Sequence, residues 1–254
     1  MSEDGNSFES LKADNETEHL ASGFNLRELL IVTGIVTLLT AITLKAIQNP
    51  RSTKHSMSCR NNLKNIALAL HSYALRNDGM FPPAYTVDSE DKPLHSWRTL
   101  ILQDLDQRDL AEKIDLTKPW DDPVNAEFCK EYVHTYCYPA EGSYSNLTTY
   151  LAVVGPDAFL NSTEPRKMKT IINRGDTIGV IDMGSSQAVP WMSPQDADEH
   201  MVLSLGRSIK FAHPGGTNVA HPDGSVGFLA AESSLNERHK RISITGRFGW
   251  PGPP

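Results

Sequence analysis

An uninterrupted apolar run over residues 29–44 constrains this chain more than any other feature, because its sixteen residues include no charged side chain. A helix rises about 1.5 Å per residue, so the run covers about 24 Å of a bilayer core that is ~30 Å thick. Phe24 and Leu26 extend it at one end, and Lys45 can reach the lipid headgroups at the other. These residues predict one transmembrane helix over residues 24–47.

Hydroxyl side chains interrupt the run on one side only. Thr33, Thr37 and Thr40 fall on one helical face, and Gly34 lies nearby. Small and hydroxyl side chains on one face favour close contact between helices in a membrane, although threonine is also simply tolerated there. The other interpretation of the whole run is a buried core helix, but such a helix normally carries a polar face.

The distribution of charge argues against one class of partner. The net charge is −7, and residues 1–22 carry most of it, with six carboxylates against one lysine. This acidic segment, short of apolar periodicity, predicts a disordered leader over residues 1–23. The rest of the chain has no basic stripe that could follow a nucleic-acid backbone, so no nucleic-acid partner is expected.

An amphipathic segment follows the apolar run. Its apolar positions recur at steps of three and four residues, which predicts a helix over residues 48–80 that continues the anchor. Those positions are Cys59, Leu63, Ile66, Leu70 and Tyr73. Pro50 is expected to interrupt the helix, and Asn77-Asp78-Gly79 to end it. A second, shorter helix is predicted over residues 97–114.

Short segments rich in β-branched or apolar residues dominate the second half of the chain and predict strands. They cover residues 150–154, 177–182, 219–221, 226–229 and 242–245. Between two of them, Pro222-Asp223-Gly224 predicts a tight turn, because proline fixes φ and glycine accepts a positive φ. Helices first and strands later favour the α+β class. We expect an α+β domain over residues 81–254 that contains an antiparallel β-sheet, and the long N-terminal helix packs on that sheet.

The residues that open the apolar run resemble a processing site. The segment Gly23-Phe24-Asn25-Leu26-Arg27-Glu28 is similar to the cleavage site of type IV prepilins and pseudopilins. The resemblance implies that a prepilin peptidase cuts after Gly23, that Phe24 becomes a methylated N-terminus, and that Glu28 faces the amine of a neighbouring subunit. A carboxylate at a membrane edge is costly unless it is paired, which fits that role. The resemblance also implies a pilin-like fold that associates laterally with itself or with pseudopilin partners, as in type II secretion.

Further motifs in a fixed order resemble one bacterial family, called domain of unknown function 1559 and described as prepilin-like. They lie at residues 58–66, 81–85, 95–98, 119–123, 149–156 and 189–191. The C-terminal hallmark of the family is His213, nine residues, and then Asp223-Gly224. Asp182 stands where the family more often has glutamate. The resemblance covers residues 23–229, and the family has no assigned activity. No enzyme is expected, because the sequence shows neither a phosphate-binding pattern nor a nucleophile elbow around any serine.

The same resemblance implies a disulfide and a compartment. Cys59 and Cys137 match the two cysteines of the family, which implies a bond between them and leaves Cys129 free. A stable disulfide needs an oxidising compartment. It therefore agrees with the expected placement of the domain in the periplasm, on a single-pass anchor in the inner membrane. The lysines and arginines around the helix predict the opposite orientation.

The clearest candidates for a polar site in the sequence are His213 and Asp223, which Gly224 follows. Imidazole and carboxylate could bind a metal or perform acid–base chemistry. The glycine-rich turns around them favour a structural role instead, in which the histidine anchors a hairpin through hydrogen bonds. We therefore expect no catalytic residue, no metal and no cofactor.

Three tryptophans leave a second function open. Trp97, Trp120 and Trp191 are flanked by residues that favour packing among loops, but an exposed cluster of them would stack on a sugar ring. The alternative to a structural envelope protein is thus a membrane-tethered periplasmic module that binds a sugar or another small solute.

Overall fold

The structure, a computed structural model, describes residues 25–137 and 145–246, without the side chains of residues 44–54. The predicted leader and the processing residues Gly23 and Phe24 therefore lie outside the described residues. The chain forms two compact units, Met1–Pro50 and Arg51–Pro254. The α-helices are α1 (Leu26–Arg76), α2 (Trp97–Leu100), α3 (Arg108–Ala111), α4 (Glu199–Leu203) and α5 (Leu235–Ile242).

The strands pair in antiparallel fashion throughout the described part of the chain. They are β1 (Met80–Phe81), β2 (Tyr85–Val87), β3 (Pro93–Ser96), β4 (Leu147–Thr148), β5 (Tyr150–Ala152), β6 (Arg166–Lys167), β7 (Val180–Asp182), β8 (Val189–Pro190), β9 (Gly216–Ala220) and β10 (Val226–Ala230). One sheet has four strands in the order β10-β9-β7-β5, and β1-β6, β2-β3 and β4-β8 form two-stranded sheets. The predicted α+β class is confirmed.

The first part of α1 is apolar and exposed. Its segment Leu26–Thr43 has a mean hydropathy of 1.8 and no buried residue, and among the described residues it alone is long and apolar enough to cross a membrane. By length and composition it could be a membrane span or a signal sequence. Because α1 runs on to Arg76, the interruption predicted at Pro50 is wrong. The proline removes one N–H donor, and the helix tolerates that loss.

The later part of α1 carries the predicted apolar stripe. Cys59, Leu63 and Ile66 have no exposed surface, and they join one hydrophobic core with side chains of the sheet. The helix ends at Arg76 as predicted, since Asp78 and Gly79 take left-handed φ angles of 53° and 75°. The N–H of Gly79 then donates to the carbonyl of Ala74 at 2.8 Å, which satisfies one of the last helical acceptors.

The four-stranded sheet has two buried faces, and only one of them meets α1. Successive side chains of a strand point to opposite faces. Tyr150, Ala152, Val180 and Ala220 belong to the core that contains α1, whereas Leu151, Ile181 and Val219 belong to a second core on the other face. By the same alternation, Asp182 on β7 and Asn218 on β9 point toward α1.

Four of the five predicted strand segments contain or overlap a strand, and the turn between two of them is confirmed. Gly224 has a φ of 87°, and its N–H donates to the carbonyl of His221 at 2.9 Å, closing the β9–β10 hairpin. The strand predicted at 242–245 is wrong. Ile242 ends helix α5, which starts where the hydroxyl of Ser234 accepts the N–H of Glu237 at 3.2 Å.

The helix predicted over residues 97–114 is also wrong as a single element. It divides into α2, a 3₁₀-helix at Leu102–Leu105, and α3. Asp106 takes a left-handed φ of 59° directly after the 3₁₀-helix, and a regular helix cannot continue through that conformation. The apolar spacing in this segment therefore reflects three short turns on one surface of the core.

A buried ion pair next to α2 fixes the edge strand β5. Arg98 and Asp196 are almost fully buried, with Nη1 and Oδ1 2.7 Å apart. The Arg98 guanidinium also donates to the carbonyl of Tyr150 at 3.3 Å, and the N–H of Ala152 donates to Asp196 at 2.8 Å. Both ends of β5 are thereby held from outside the sheet, including the end that lies beside Asp182.

Candidate functional site

Glu28 is the one predicted processing residue that the structure describes. It lies in the first turn of α1, and its carboxylate accepts the N–H of Asn25 at 3.3 Å. A negative side chain near a helix N-terminus is favourable, because it complements the helix dipole and its free N–H groups. Across the described residues Glu28 has no cationic partner within 4.0 Å.

The structure separates the two residues of the sequence motif, His213 and Asp223. Asp223 is exposed in the β9–β10 turn, where its Oδ1 accepts the N–H and the hydroxyl of Ser225 at 2.8 and 2.6 Å. His213 is 7% exposed, and its Nε2 lies 3.1 Å from Oδ2 of Asp182. Nine residues of hairpin separate the two motif residues, and the tight turn carries Asp223 away from the sheet.

Asp182, at the end of β7, is the residue around which the site is built. Its carboxylate is fully buried, and its Oδ1 accepts the hydroxyl of Thr149 at 2.7 Å and the N–H of Gly184 at 3.1 Å. The other oxygen faces His213. Its position in the family motif was visible in the sequence, but nothing there assigned it a partner.

Cys59 completes a buried three-residue cluster with Asp182 and His213. One ligand atom of each residue, a sulfur, a carboxylate oxygen and an imidazole nitrogen, lies within 4.8 Å of the other two. Burial and then the negative charge of Asp182 raise the pKa of the Cys59 thiol to about 12. Tyr150 adjoins the cluster, and its hydroxyl accepts the Asn62 side-chain amide at 3.3 Å.

The cluster adjoins an open groove beside α1. The groove encloses about 550 Å³, and Ser56, Met57, Arg60, His213, Asn218 and Phe228 lie along it. Asn218 donates from Nδ2 to the carbonyl of Ser56 at 3.2 Å, which ties β9 to the helix at the floor of the groove. Phe228 is 44% exposed, so the groove offers one aromatic face next to the cationic Arg60.

The structure gives the predicted Cys59–Cys137 disulfide no support, because Cys59, Cys129 and Cys137 are all free thiols. The sulfur of Cys59 faces Asp182 and Tyr150. The sulfur of Cys137 donates instead to the carbonyl of Ser145 at 2.9 Å. Burial raises the pKa of the Cys137 thiol to about 11. Each thiol thus has a polar partner of its own.

The tryptophans pack in the core and do not line the groove. Trp97 and Trp191 are at most 1% exposed, and Trp120 is half-buried. The Trp97 indole donates to Asp196 at 3.0 Å, and that of Trp191 donates to the carbonyl of Glu131 at 3.1 Å. These contacts match the packing interpretation, and no exposed tryptophan cluster is present among the described residues.

Comparison with known proteins identifies one relationship. Residues 48–169 match the model of a family described as "Protein of unknown function (DUF1559)". The matched segment begins in α1, includes Cys59 and Tyr150, and stops before Asp182 and His213. No curated protein and no solved structure matches the chain.

Proposed function

This chain belongs to the family described as Protein of unknown function (DUF1559), and because that description assigns no activity, we propose a function from the structure. The protein is a membrane-anchored, pilin-like envelope subunit that associates laterally through the first part of α1. Its role is structural or linked to secretion, and its partners are the inner membrane, a prepilin peptidase and other helices of its own kind. The exposed apolar surface of Leu26–Thr43 carries this proposal.

That apolar surface is unfavourable in water and is stabilised by contact with lipid or protein. All residues of Leu26–Thr43 are exposed, and they include ten large aliphatic side chains, each about half exposed or more. Contiguous apolar surface of this extent marks an interaction site or a membrane segment. Eighteen helical residues span about 27 Å, which is close to the ~30 Å thickness of the hydrocarbon core.

The hydroxyl groups of the segment support burial in lipid. Thr33, Thr37, Thr40 and Thr43 each donate to the carbonyls three and four residues earlier, at 2.8–3.1 Å. A polar group in the bilayer must be satisfied internally, because no water is available to it. The four threonines therefore need no external partner, and their short side chains allow another helix to approach closely.

Glu28 supports lateral association. It is the single acidic residue of the segment, at its N-terminal end, and its cationic partner is absent from the described residues. Cleavage after Gly23 would create an amine at Phe24, and the amine of a neighbouring subunit would then neutralise Glu28. The same helix enters the core of the second unit with Leu63 and Ile66, as a pilin-like helix does.

Membrane insertion is tested by a lysine in the centre of the segment. Ile35→Lys places a charge where insertion costs about 3 kcal/mol, so we expect the full chain to be released from membranes by an alkaline carbonate wash. Leu75→Lys is the matched control, because Leu75 is 79% exposed on the part of α1 that belongs to the second unit. Equal retention of both variants would contradict the anchor.

Processing and orientation are tested on the mature protein. Mass spectrometry of membrane-derived protein should find an N-terminus at Phe24, and a peptide that still contains residues before Gly23 would contradict cleavage. The Glu28→Ala chain should be cleaved, but cross-linking should no longer join it to neighbouring subunits as it joins parent chains. The Glu90→Ala chain should still be cross-linked to its neighbours. Digestion of the domain by protease added outside spheroplasts would support the periplasmic orientation. Protection of the domain would support the opposite orientation, which the lysines and arginines around the helix predict.

The groove next to His213 favours a second function, a tethered module that binds a sugar or small solute. Its volume of about 550 Å³ lies in the usual range of small-molecule sites, and the exposed ring of Phe228 can stack on a sugar. A sugar that raises the melting temperature of the parent chain but not of Phe228→Ser would support it. Leu235→Ser, at a similarly exposed residue outside the groove, should respond like the parent chain.

A further inference from the structure

We propose that Cys59, Asp182 and His213 bind one divalent transition metal ion of the zinc class. The three side chains come from α1, from β7 and from the segment before β9, and all are buried. This site is independent of membrane anchoring, since its residues belong to the second unit alone.

The spacing of the ligand atoms suits a single ion. Zinc binds sulfur at about 2.3 Å and nitrogen or oxygen at about 2.0–2.2 Å in tetrahedral geometry, which places ligand atoms roughly 3.3–3.6 Å apart. His213 Nε2 and Asp182 Oδ2 are 3.1 Å apart, and all three ligand atoms fall within 4.8 Å of one another. Small side-chain rotations therefore suffice to bring the three atoms onto one ion.

The surrounding hydrogen bonds hold the carboxylate in place for this task. Thr149 and Gly184 both donate to Oδ1 of Asp182, so that Oδ2 remains directed at His213. Such outer contacts orient metal ligands and raise their affinity. They come from the ends of β5 and β7, two paired strands in which Tyr150 lies directly opposite Asp182.

Charge balance also favours an ion. The ion displaces the proton of the Cys59 thiol into solvent on binding, so a divalent cation, one thiolate, one carboxylate and a neutral imidazole give a buried site without net charge. Among the described residues, Asp182 has His213 as its only partner that can become cationic. A buried carboxylate that lacks a lysine or arginine is costly, and a bound metal removes that cost.

The ligand set selects the class of metal. A thiolate sulfur favours zinc and related transition metals, whereas calcium and magnesium prefer oxygen ligands alone. Three protein ligands leave a fourth position for water or a small anion, as in zinc sites that are open to substrate. His213 borders the groove beside α1, so the groove provides the route by which the ion and the fourth ligand enter.

The test is a cobalt titration of the full chain in detergent after removal of metal by a chelator. We expect one equivalent of Co²⁺ to bind with a thiolate-to-cobalt charge-transfer band in the near ultraviolet, and Zn²⁺ to displace it. Cys59→Ser should lose the band, and Cys129→Ser, at another buried thiol, should keep it. Thr149→Val leaves all three ligands intact and should weaken binding about 10- to 100-fold. Asp223→Ala, in the exposed half of the sequence motif, should bind cobalt like the parent chain.

Three outcomes would overturn the proposal. The first is a folded parent chain that binds no stoichiometric cobalt, and the second is a band that survives in Cys59→Ser. The third is recovery of a Cys59–Cys137 disulfide from intact cells by non-reducing peptide mapping, because one sulfur cannot serve both bonds. If Cys59→Ser does not fold, the parent titration and Thr149→Val decide the matter, and parent-like affinity in Thr149→Val counts against the site.

Discussion

At the scale of single residues, burial separates two carboxylates that the sequence does not distinguish. Asp182 is fully buried and accepts hydrogen bonds from Thr149 and Gly184 while facing His213. Asp223 is exposed and holds only the turn around Ser225. Removing a buried acceptor leaves its donors unsatisfied, whereas water replaces a lost contact at the surface.

We therefore expect Asp182→Ala to lower the free energy of unfolding of the metal-free protein by about 3 kcal/mol, and Asp223→Ala by less than about 1 kcal/mol. Urea unfolding followed by circular dichroism measures both. Equal losses in the two aspartate variants would show that burial of the cluster is not what stabilises it.

His95 on β3 makes stability depend on pH. Its ring is fully buried, and Nε2 donates to the carbonyls of Asp115 and Lys118 at 3.2 and 2.7 Å, so the neutral ring carries its proton there. Nδ1 is buried without a partner. Burial therefore lowers the pKa of His95 below its usual 6.5.

The sign of the effect follows from proton linkage. Below pH 6.5 the unfolded chain binds a proton at His95, whereas the folded chain does not bind it until the pH reaches its lower pKa. The contribution of His95 to stability is therefore complete above pH 6.5 and decreases as the pH falls toward the pKa of the folded state. Urea midpoints measured from pH 7.5 down to pH 5 should show this decline. His95→Gln removes the titrating group and should flatten it, and an unchanged slope in that variant would assign the decline to other groups.

At the scale of elements, α1 has two parts that differ in burial. Its first part exposes an apolar surface on every side, while its later part buries one stripe and exposes the rest. Leu63 is fully buried in the domain core, whereas Leu75, three turns further on, is 79% exposed. A leucine on α1 therefore contributes to the free energy of unfolding where it is buried and contributes little where it is exposed.

Leu63→Ala should cost about 2–5 kcal/mol of unfolding free energy, because it removes buried methyl groups and leaves a cavity. Leu75→Ala should change it by less than about 0.5 kcal/mol, since the side chain is already in water. Denaturant unfolding of the two variants checks the difference. A comparable loss at Leu75 would mean that this face of α1 is covered in solution.

At the scale of the whole molecule, the two compact units differ in what they can do alone. The hydrophobic cores lie within Arg51–Pro254 and draw on the later part of α1 as well as on the sheet. The apolar segment Leu26–Thr43 contributes no residue to either core. The second unit should thus be a folding unit by itself, provided that it keeps its share of α1.

A chain that begins at Arg51 should be soluble, should unfold cooperatively, and should bind cobalt as the full chain does. A chain that begins at Asn77 lacks Leu63 and Ile66 and should not fold, because the sheet face toward α1 would be bare. Circular dichroism and analytical ultracentrifugation distinguish the two outcomes. Aggregation of the chain that begins at Arg51 would contradict this prediction, because it would show that the fold also needs residues before Arg51.

The sequence alone determined the features that depend on local pattern. Hydrophobic periodicity predicted the apolar and amphipathic parts of α1, and the Asn77-Asp78-Gly79 stop and the Pro222-Asp223-Gly224 turn follow from backbone preferences of single residues. The same local rules failed over residues 97–114 and 242–245. In the first segment the left-handed Asp106 breaks the predicted helix into short pieces, and in the second the Ser234 cap starts a helix that runs to Ile242.

Only the tertiary structure decided the cluster of Cys59, Asp182 and His213. No local signal connects residues that lie 123 and 31 positions apart in the chain. Their meeting depends on the strand register that sets Asp182 opposite Tyr150, and on the packing of α1 across that face of the sheet. Sequence periodicity reports which face of an element is buried, but the partner across that face is chosen by the packing of the whole domain.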